Sequence, residues 1–379
     1  MRILHVIPSL AAGGAPRGLL EIAERQLVQG NDVQILLFEA LDAVADVPCR
    51  LHNLDLKLKF SDPVSRRRVI RKATDVIRSI RPEIVHSHLL PADYVAAWAS
   101  RGMAPHVAHI RDTQPWLAAS DISNRMKKWM FRRAFLRGRT HFAAVSAAAA
   151  EYAISNLSLP RDRMHVVLNG ISFDRFSTNT GNLRSASGFV IGCAGRLSPE
   201  KGQVLLLDAF FNVHELMPTS TLRFCGSGSQ QSLLRQMAET RGIADAVHFD
   251  GQVSDIERWY RRLDALVVPS LGAEGLPRVI MEAMYCGIPI IAADTAGSRE
   301  SVIDGVTGFV IPVGNSQAIF RKLEELAGNM DLRRQMGAEA SRVAADRFSL
   351  ERVTRDVSAL YESLLGSREG DGDCAGWNS

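Results

Sequence analysis

No apolar run in this sequence approaches the ~18 residues that a membrane-spanning helix requires, so a soluble chain that at most lies on a membrane surface is expected. Cysteine is scarce as well. The five thiols, Cys49, Cys193, Cys225, Cys286 and Cys374, are odd in number and widely spaced, with no Cys-x-x-Cys pair and no histidine at zinc-ligand spacing. That excludes a disulfide scaffold or a zinc module and fits reduced, mostly buried thiols in a cytoplasmic protein. A dominant charge is also missing, since 45 Lys and Arg nearly balance 41 Asp and Glu for a net charge of +4. An excess that small, without aromatic platforms, gives no support for nucleic-acid binding. The charge is uneven, however: residues 1–180 carry 25 basic against 16 acidic side chains, or +9, and the remainder 20 against 25, or −5. The opening "MRILHVIPSLAAGGA" imitates a signal peptide, but His5 and Pro8 interrupt a run already short for one, and the stretch reads better as a first strand.

What is present is alternation. At 379 residues the chain exceeds what one core usually supports, so two domains are expected. Short apolar runs alternate with segments of helical period, the mark of parallel sheets covered on both faces. The first-half strands are "RILHVI", "DVQILLF", "IVHSHL", "HVAHI", "HFAAVS" and "HVVLN", with helices over 15–29, 63–80, 91–101 and 123–137. A polar stretch without periodicity at 172–188 reads as a linker between a domain over 1–171 and a second over 189–348. The second set of strands is "FVIGCAGRL", "LRFCGSG", "VHFDGQ", "ALVVPS", "IPIIAAD" and "GFVIPVG". A helix over 349–366 follows, and the tail at 367–379, rich in Gly, Ser and Asp, has too little to bury and is expected to be disordered. The predicted class is α/β, two Rossmann-like parallel-sheet domains facing across a cleft, with chemistry on the loops after the strands.

Those loops carry the candidate residues. "GCAGRLSPEKG" sets Arg196 and Lys201 beside a helix starting near Lys201, where fixed cations, helix amides and dipole together suit a diphosphate. "IGCAG" departs from the Gly-x-Gly-x-x-Gly spacing of a dinucleotide loop. Gly226, Gly228 and Gly251 end two further strands where backbone can approach a ligand. "GAEGLPRVIMEAMYCGIP" places Glu274 on a loop and Glu282 inside a helix whose first position suits Pro277. Each carboxylate can grip a diol, and the Gly275 and Leu276 amides can meet phosphate or sugar oxygens.

This order of motifs, Gly-Arg…Lys, then Gly-x-Gly, then "PSLGAEGLPRVIMEAMYCGIPIIAADTAGSRESVIDGVTGFVIPVGN", resembles the C-terminal domain of glycosyltransferase family 4. "PSLAAGGAPRGLLEIAERQLVQGNDVQIL", with Gly13, Gly14 and Arg17, looks like the family's opening loop, and "VSAAAAEY" and "VVLNGISFDRF" match as well, so the resemblance spans about residues 1–365. It implies a GT-B fold and a retaining, metal-independent transferase with an N-terminal acceptor-side and a C-terminal donor-binding domain, the last helix packing back towards the first. Glu274 would hold the donor sugar, Glu282, Leu276 and Pro277 would line the donor site, and Arg196 and Lys201 would neutralise the leaving diphosphate. The donor would be a nucleotide sugar, a UDP-sugar before a GDP-sugar, and no cofactor or metal is implied. The sole Asp-x-Asp, Asp371 and Asp373, falls in the tail.

Three departures stand out: Pro16 replaces the usual Glu, Leu276-Pro277 replaces Phe-Gly, and "VAHIRDTQPW" lacks the family's histidine. Arg111 lines up best with it, beside Asp112. His109, two positions earlier, is the alternative. His86 and His88 read as packed or turned to the crevice rim. The basic segment 124–139, with Trp129, Phe131 and Phe135 among seven cations, suits either an anionic membrane surface or an ordinary core helix with a solvated face. A glycan or lipid-linked acceptor at the inner face of the cell membrane, in polysaccharide synthesis, is the implied setting. The competing readings are a GT-B sugar-nucleotide epimerase and a binding protein that has lost turnover.

Overall fold

The computed structural model describes residues 1–370 apart from 12, 40–46, 112–116, 120, 174–187 and 273. Most of the expected linker, Asp112 and the tail with Cys374 and its Asp-x-Asp therefore lie outside the described residues. The chain divides into two units, Met1–Gly170 with Leu350–Ser379, and Ile171–Ser349.

The first unit is built on strands β1 (Arg2–Ile7), β2 (Asp32–Leu37), β3 (Arg50–Asn53), β4 (Ile84–His88), β5 (His106–Ile110), β6 (His141–Ala144) and β7 (Met164–Val166). They form one sheet in the order β3-β2-β1-β4-β5-β6-β7, and every pairing is parallel. Helices α1 (Gly14–Val28), α2 (Pro63–Ile80), α3 (Leu90–Ala99), α4 (Ile122–Arg137) and α5 (Ala147–Leu157) connect them. β3 is the strand that the apolar pattern does not announce: "RLHN" has one apolar residue, and as an edge strand it is only half covered. α2 is announced in full. Asp62 caps it by accepting from the Val64 amide at 2.9 Å, and Pro63 takes the first position, where no amide hydrogen is needed.

The second unit holds β8 (Val190–Ala194), β9 (Thr221–Cys225), β10 (Val247–Gly251), β11 (Ala265–Val268), β12 (Ile290–Ala293) and β13 (Gly308–Ile311), in the order β10-β9-β8-β11-β12-β13. These pairings are parallel too. Between and after the strands run α6 (Gln203–Leu216), α7 (Gln231–Thr240), α8 (Ile256–Tyr260), α9 (Arg278–Tyr285), α10 (Ala296–Ser301), α11 (Ser316–Gly328) and α12 (Met330–Phe348). Its core joins Ile191, Leu207, Phe210, Phe224, Val267 and Leu323. The strands read as nearly unbroken apolar runs because helices cover both faces.

The last helix, α13 (Leu350–Gly370), extends beyond residue 366, where the sequence pattern ends it. It belongs to the first unit, where Val353, Val357, Leu360 and Tyr361 pack with Ile3, Ala23, Val107 and Val167. In each sheet the strand order reverses once, at β1/β4 and at β8/β11. Such a switch point opens a crevice beyond the carboxyl ends of the strands.

Gly308 opens β13 at φ +151, and a Cβ there would lie 2.0 Å from the Ile290 carbonyl oxygen. Gly308→Ala is expected to destabilise the second unit by about 2–4 kcal/mol through strain and a backbone clash. Urea unfolding followed by tryptophan fluorescence measures this.

Candidate active site

In the second unit the candidate residues gather on the loops after β8 and β11, at the switch point. The helix after β8 begins later than the sequence implies. Pro199–Lys201 form a single 3₁₀ turn, and Gly202, at φ +68, then starts α6 at Gln203. Gln203 is buried, and its side-chain amide donates to the Arg196 carbonyl at 2.8 Å, which pins the loop. A Cβ on Gly202 would sit 2.2 Å from the Pro269 carbonyl oxygen. Only glycine lets the two loops approach so closely, and the approach brings Lys201 to Glu274.

Lys201 Nζ contacts Glu274 Oε1 directly, and Ser270 Oγ donates to the same oxygen at 2.7 Å. Lys201 is therefore not a second free cation beside Arg196, as the sequence alone implies, but part of an ion pair with Glu274. Arg196 itself is exposed. The Glu274 carbonyl accepts the Gly297 amide of α10 at 3.1 Å, so the loop is held from both sides.

Pro277 is the residue that caps α9, not its first helical residue. Glu282 stands in the second turn, 5% exposed. Its Oε2 accepts from the Tyr260 hydroxyl at 3.1 Å, and its Oε1 lies 3.7 Å from Arg278 Nε, one turn back. Tyr260 is fully buried, and burial together with the adjacent carboxylate pushes its phenol well above the usual range. It keeps its proton and remains a donor. Ser270 could have been suspected from "PSLGAEG", four residues before Glu274. Tyr260, far from Glu282 in sequence, gives no such signal.

Gly226 and Gly228 have a packing reason of their own: a Cβ on either would fall about 2 Å from the carbonyl oxygen of Gly195 or Leu197. The Gly226 amide also donates to the Gly251 carbonyl at 2.7 Å. The loops after β8, β9 and β10 thus lie backbone on backbone. Cys193, Cys225 and Cys286 are buried and free. Burial pushes their thiols up to about 12, about 11 and about 12, so they stay protonated and unreactive.

In the first unit, Gly13 precedes α1 without a side-chain cap and Gly14 is its first residue. Arg17 Nε meets the buried Glu21 at 3.2 Å. Around the β1/β4 switch point lies a group of imidazoles that the sequence does not bring together. His5 Nδ1 is 3.0 Å from His88 Nε2, and His5 Nε2 is 2.8 Å from Gln26 Oε1. His86 Nδ1 lies 2.5 Å from the Tyr361 hydroxyl, and His86 Nε2 is 3.1 Å from His109 Nδ1. Arg111, just past β5, directs Nε and Nη2 at His88 Nδ1, at 3.3 and 3.0 Å, with Nη1 3.5 Å from Asn169 Oδ1. His109 is 1% exposed, and its Nε2 has no partner among the described residues. The signal was there in part, since His5, His86, His88 and His109 alternate on strands whose side chains repeat every second residue. Which strands adjoin could not be read.

The comparisons agree with this architecture. The chain matches the family model "Glycosyltransferase Family 4" over residues 12–175 and "Glycosyl transferases group 1" over 179–343. It is 27% identical to the phosphatidyl-myo-inositol mannosyltransferase of Mycobacterium leprae, over 94% of each chain. It is 31% identical to the lipopolysaccharide core biosynthesis mannosyltransferase LpcC of Rhizobium leguminosarum, over 47% of this chain and 51% of that one. Among solved structures, Anabaena HepE in complex with UDP superposes with a TM-score of 0.80 at 24% identity, covering 96% of this chain and 100% of that one. The fold is GT-B. The chain belongs to the family 4 glycosyltransferases.

Burial lowers the pKa of His5 to about 4 and of His106 to about 3, and holds His86, His88 and His109 well below the ordinary value. The unfolded chain therefore takes up protons first as pH falls. Stability is full above about pH 6.5 and is lost below it, at ~1.4 kcal/mol per pH unit for each histidine until its folded pKa is reached. Melting temperature is expected to be flat above pH 7 and to drop steeply between pH 6.5 and 4. A flat profile down to pH 5 would mean that the imidazoles are not held neutral.

Proposed function

We propose that this glycosyltransferase moves a sugar from a nucleoside-diphosphate donor to a glycan or lipid-linked acceptor with retention of configuration and without a metal ion. The observation that carries the reading is the meeting of Lys201 and Glu274 at the β8/β11 switch point. It joins a cation suited to a diphosphate with a carboxylate suited to sugar hydroxyls. In this reading the donor's hydroxyls take up Glu274, and Lys201 turns with Arg196 to the two phosphates, where charge grows as the glycosidic bond breaks. Glu282, steadied by Tyr260 and Arg278, accepts from the ribose diol with its remaining lone pairs. The bared backbone at Gly226, Gly228, Gly251 and Gly275, with Leu276 and Pro277, completes the donor site in the second unit, and the resemblance assigns Gly13, Gly14 and Arg17 to donor binding as well. The acceptor oxygen attacks the anomeric carbon on the face the diphosphate leaves, and its proton passes to a departing phosphate oxygen. Arg111 and Asp112, with His109 as the alternative, contact the reacting sugars.

The base is tested directly. The resemblance favours UDP, whereas one relative, from Mycolicibacterium smegmatis, is named as GDP-mannose-dependent, so both donor series belong in the assay. With the active donor and excess chelator, the wild type is expected to keep full turnover. Lys201→Ala should lower kcat/KM by roughly 10²–10³-fold, mainly through weaker donor binding. Glu274→Ala should abolish transfer while nucleotide affinity remains. Dependence on added Mg²⁺ or Mn²⁺ would sink the metal-free reading.

Support for a membrane-linked acceptor comes from α4. Ile122, Met126, Trp129 and Leu136 lie along one side of it, each between 39% and 84% exposed, among the exposed Arg125, Arg132, Arg133 and Arg137. The Arg133 guanidinium sits 5.3 Å over the Trp129 ring. Apolar side chains ringed by cations suit an anionic bilayer surface. Among the described residues no helix is long and apolar enough to cross a membrane. Sedimentation with vesicles containing anionic phospholipid is expected to carry the protein down, and Met126→Glu with Trp129→Glu to leave it in the supernatant. Equal recovery of both would rule out this face.

A further inference from the structure

Among the imidazoles at the β1/β4 switch point, the hydrogen bonds that lead from Arg111 through His88 and His5 to Gln26 run in one direction only. A guanidinium donates and never accepts, so His88 Nδ1, facing Arg111 Nε and Nη2 at 3.3 and 3.0 Å, carries no proton. The neutral ring must then hold its proton on Nε2, which donates to His5 Nδ1 at 3.0 Å. That leaves the His5 proton on Nε2, donating to Gln26 Oε1 at 2.8 Å. Each tautomer fixes the next. His5, His88 and Gln26 are all fully buried, where an imidazolium would be expensive and a neutral chain of donors and acceptors is not.

A divalent cation is the rival occupant, since nitrogens of His5, His86 and His88 lie within 4.8 Å of one another. The polarity is wrong for it. A metal-bound histidine donates its other ring N–H to an acceptor, whereas the second nitrogen of His88 receives hydrogen bonds from a cation. Binding a metal through Nε2 would leave that ring with no proton at all.

We infer that His88 and His5 are positioning residues, which hold Arg111 in one orientation at the end of β5 through a tautomer-locked chain anchored on Gln26 of α1. The inference rests on the reading that Arg111 contacts the reacting sugars. Arg111 also directs Nη1 at Asn169 Oδ1, at 3.5 Å, and β5 ends one residue before it.

A double-mutant cycle on the full-length protein tests this. His88→Leu and Arg111→Ala are each expected to reduce kcat by about 10- to 100-fold, and the double variant to be no slower than Arg111→Ala alone. His88→Asn, whose Oδ1 takes the place of Nδ1 as an acceptor, is expected to recover most of the loss. It also covers the case in which His88→Leu does not fold. The ¹⁵N spectrum of histidine-labelled wild type should show His88 and His5 both protonated at Nε2 and bare at Nδ1. Additive losses in the cycle, a proton on His88 Nδ1, or Zn²⁺-induced shifts at stoichiometric metal would each overturn the inference. Full turnover by Arg111→Ala would overturn it through its premise, and is told apart because the ¹⁵N pattern would persist.

Discussion

Backbone atoms of neighbouring loops in the second unit lie closer together than any side chain at Gly202, Gly226, Gly228 or Gly297 would permit, and the meeting of Lys201 with Glu274 depends on that. A parallel sheet sets neighbouring strand ends about 4.8 Å apart, and the loops that leave these ends press together beyond them. Removing Cβ atoms where the β8 loop crosses those after β9 and β11 achieves this. Lys201 then reaches Glu274 although the two are 73 residues apart, and the Glu274 backbone is tied to α10.

The two carboxylates so placed are not equivalent. Glu274 is matched by the Lys201 ammonium and the Ser270 hydroxyl on a single oxygen, at a partly exposed site that a ligand can reach. Glu282 is enclosed at 5% exposure, with a phenol that burial and the carboxylate itself keep protonated. A charge so enclosed would be costly without Tyr260 and Arg278. The difference in enclosure matches the roles proposed above, Glu274 for the reacting sugar and Glu282 for the nucleoside.

Much of this could be read from the residues because parallel strands buried on both faces must be nearly continuous in apolar character. Both runs of strands, the helix boundaries at Asp62-Pro63 and the glutamates eight positions apart follow from local pattern. β3 escaped because an edge strand is relieved of that requirement. The Lys201–Glu274 pair, the Tyr260–Glu282 bond and the imidazole chain escaped for another reason: each joins side chains that only the strand order makes neighbours. Periodicity says that His5 and His88 each face one side of a sheet but not that β1 lies beside β4. The start of α6 was misplaced by two residues because a 3₁₀ turn and a left-handed glycine intervene, a conformational detail that "SPEKGQ" does not distinguish from a helix beginning at Lys201.

The last helix joins the first unit, and this has a consequence in time. The ribosome completes the strands of the first sheet early, but α13, which packs with Ile3, Val107 and Val167, is synthesised only after the whole second unit. Through the translation of the whole second unit that apolar face lacks its α13 partners. The first unit can gather its strands at the outset but cannot close its core until α13 emerges, so it begins before the second unit and is finished after it.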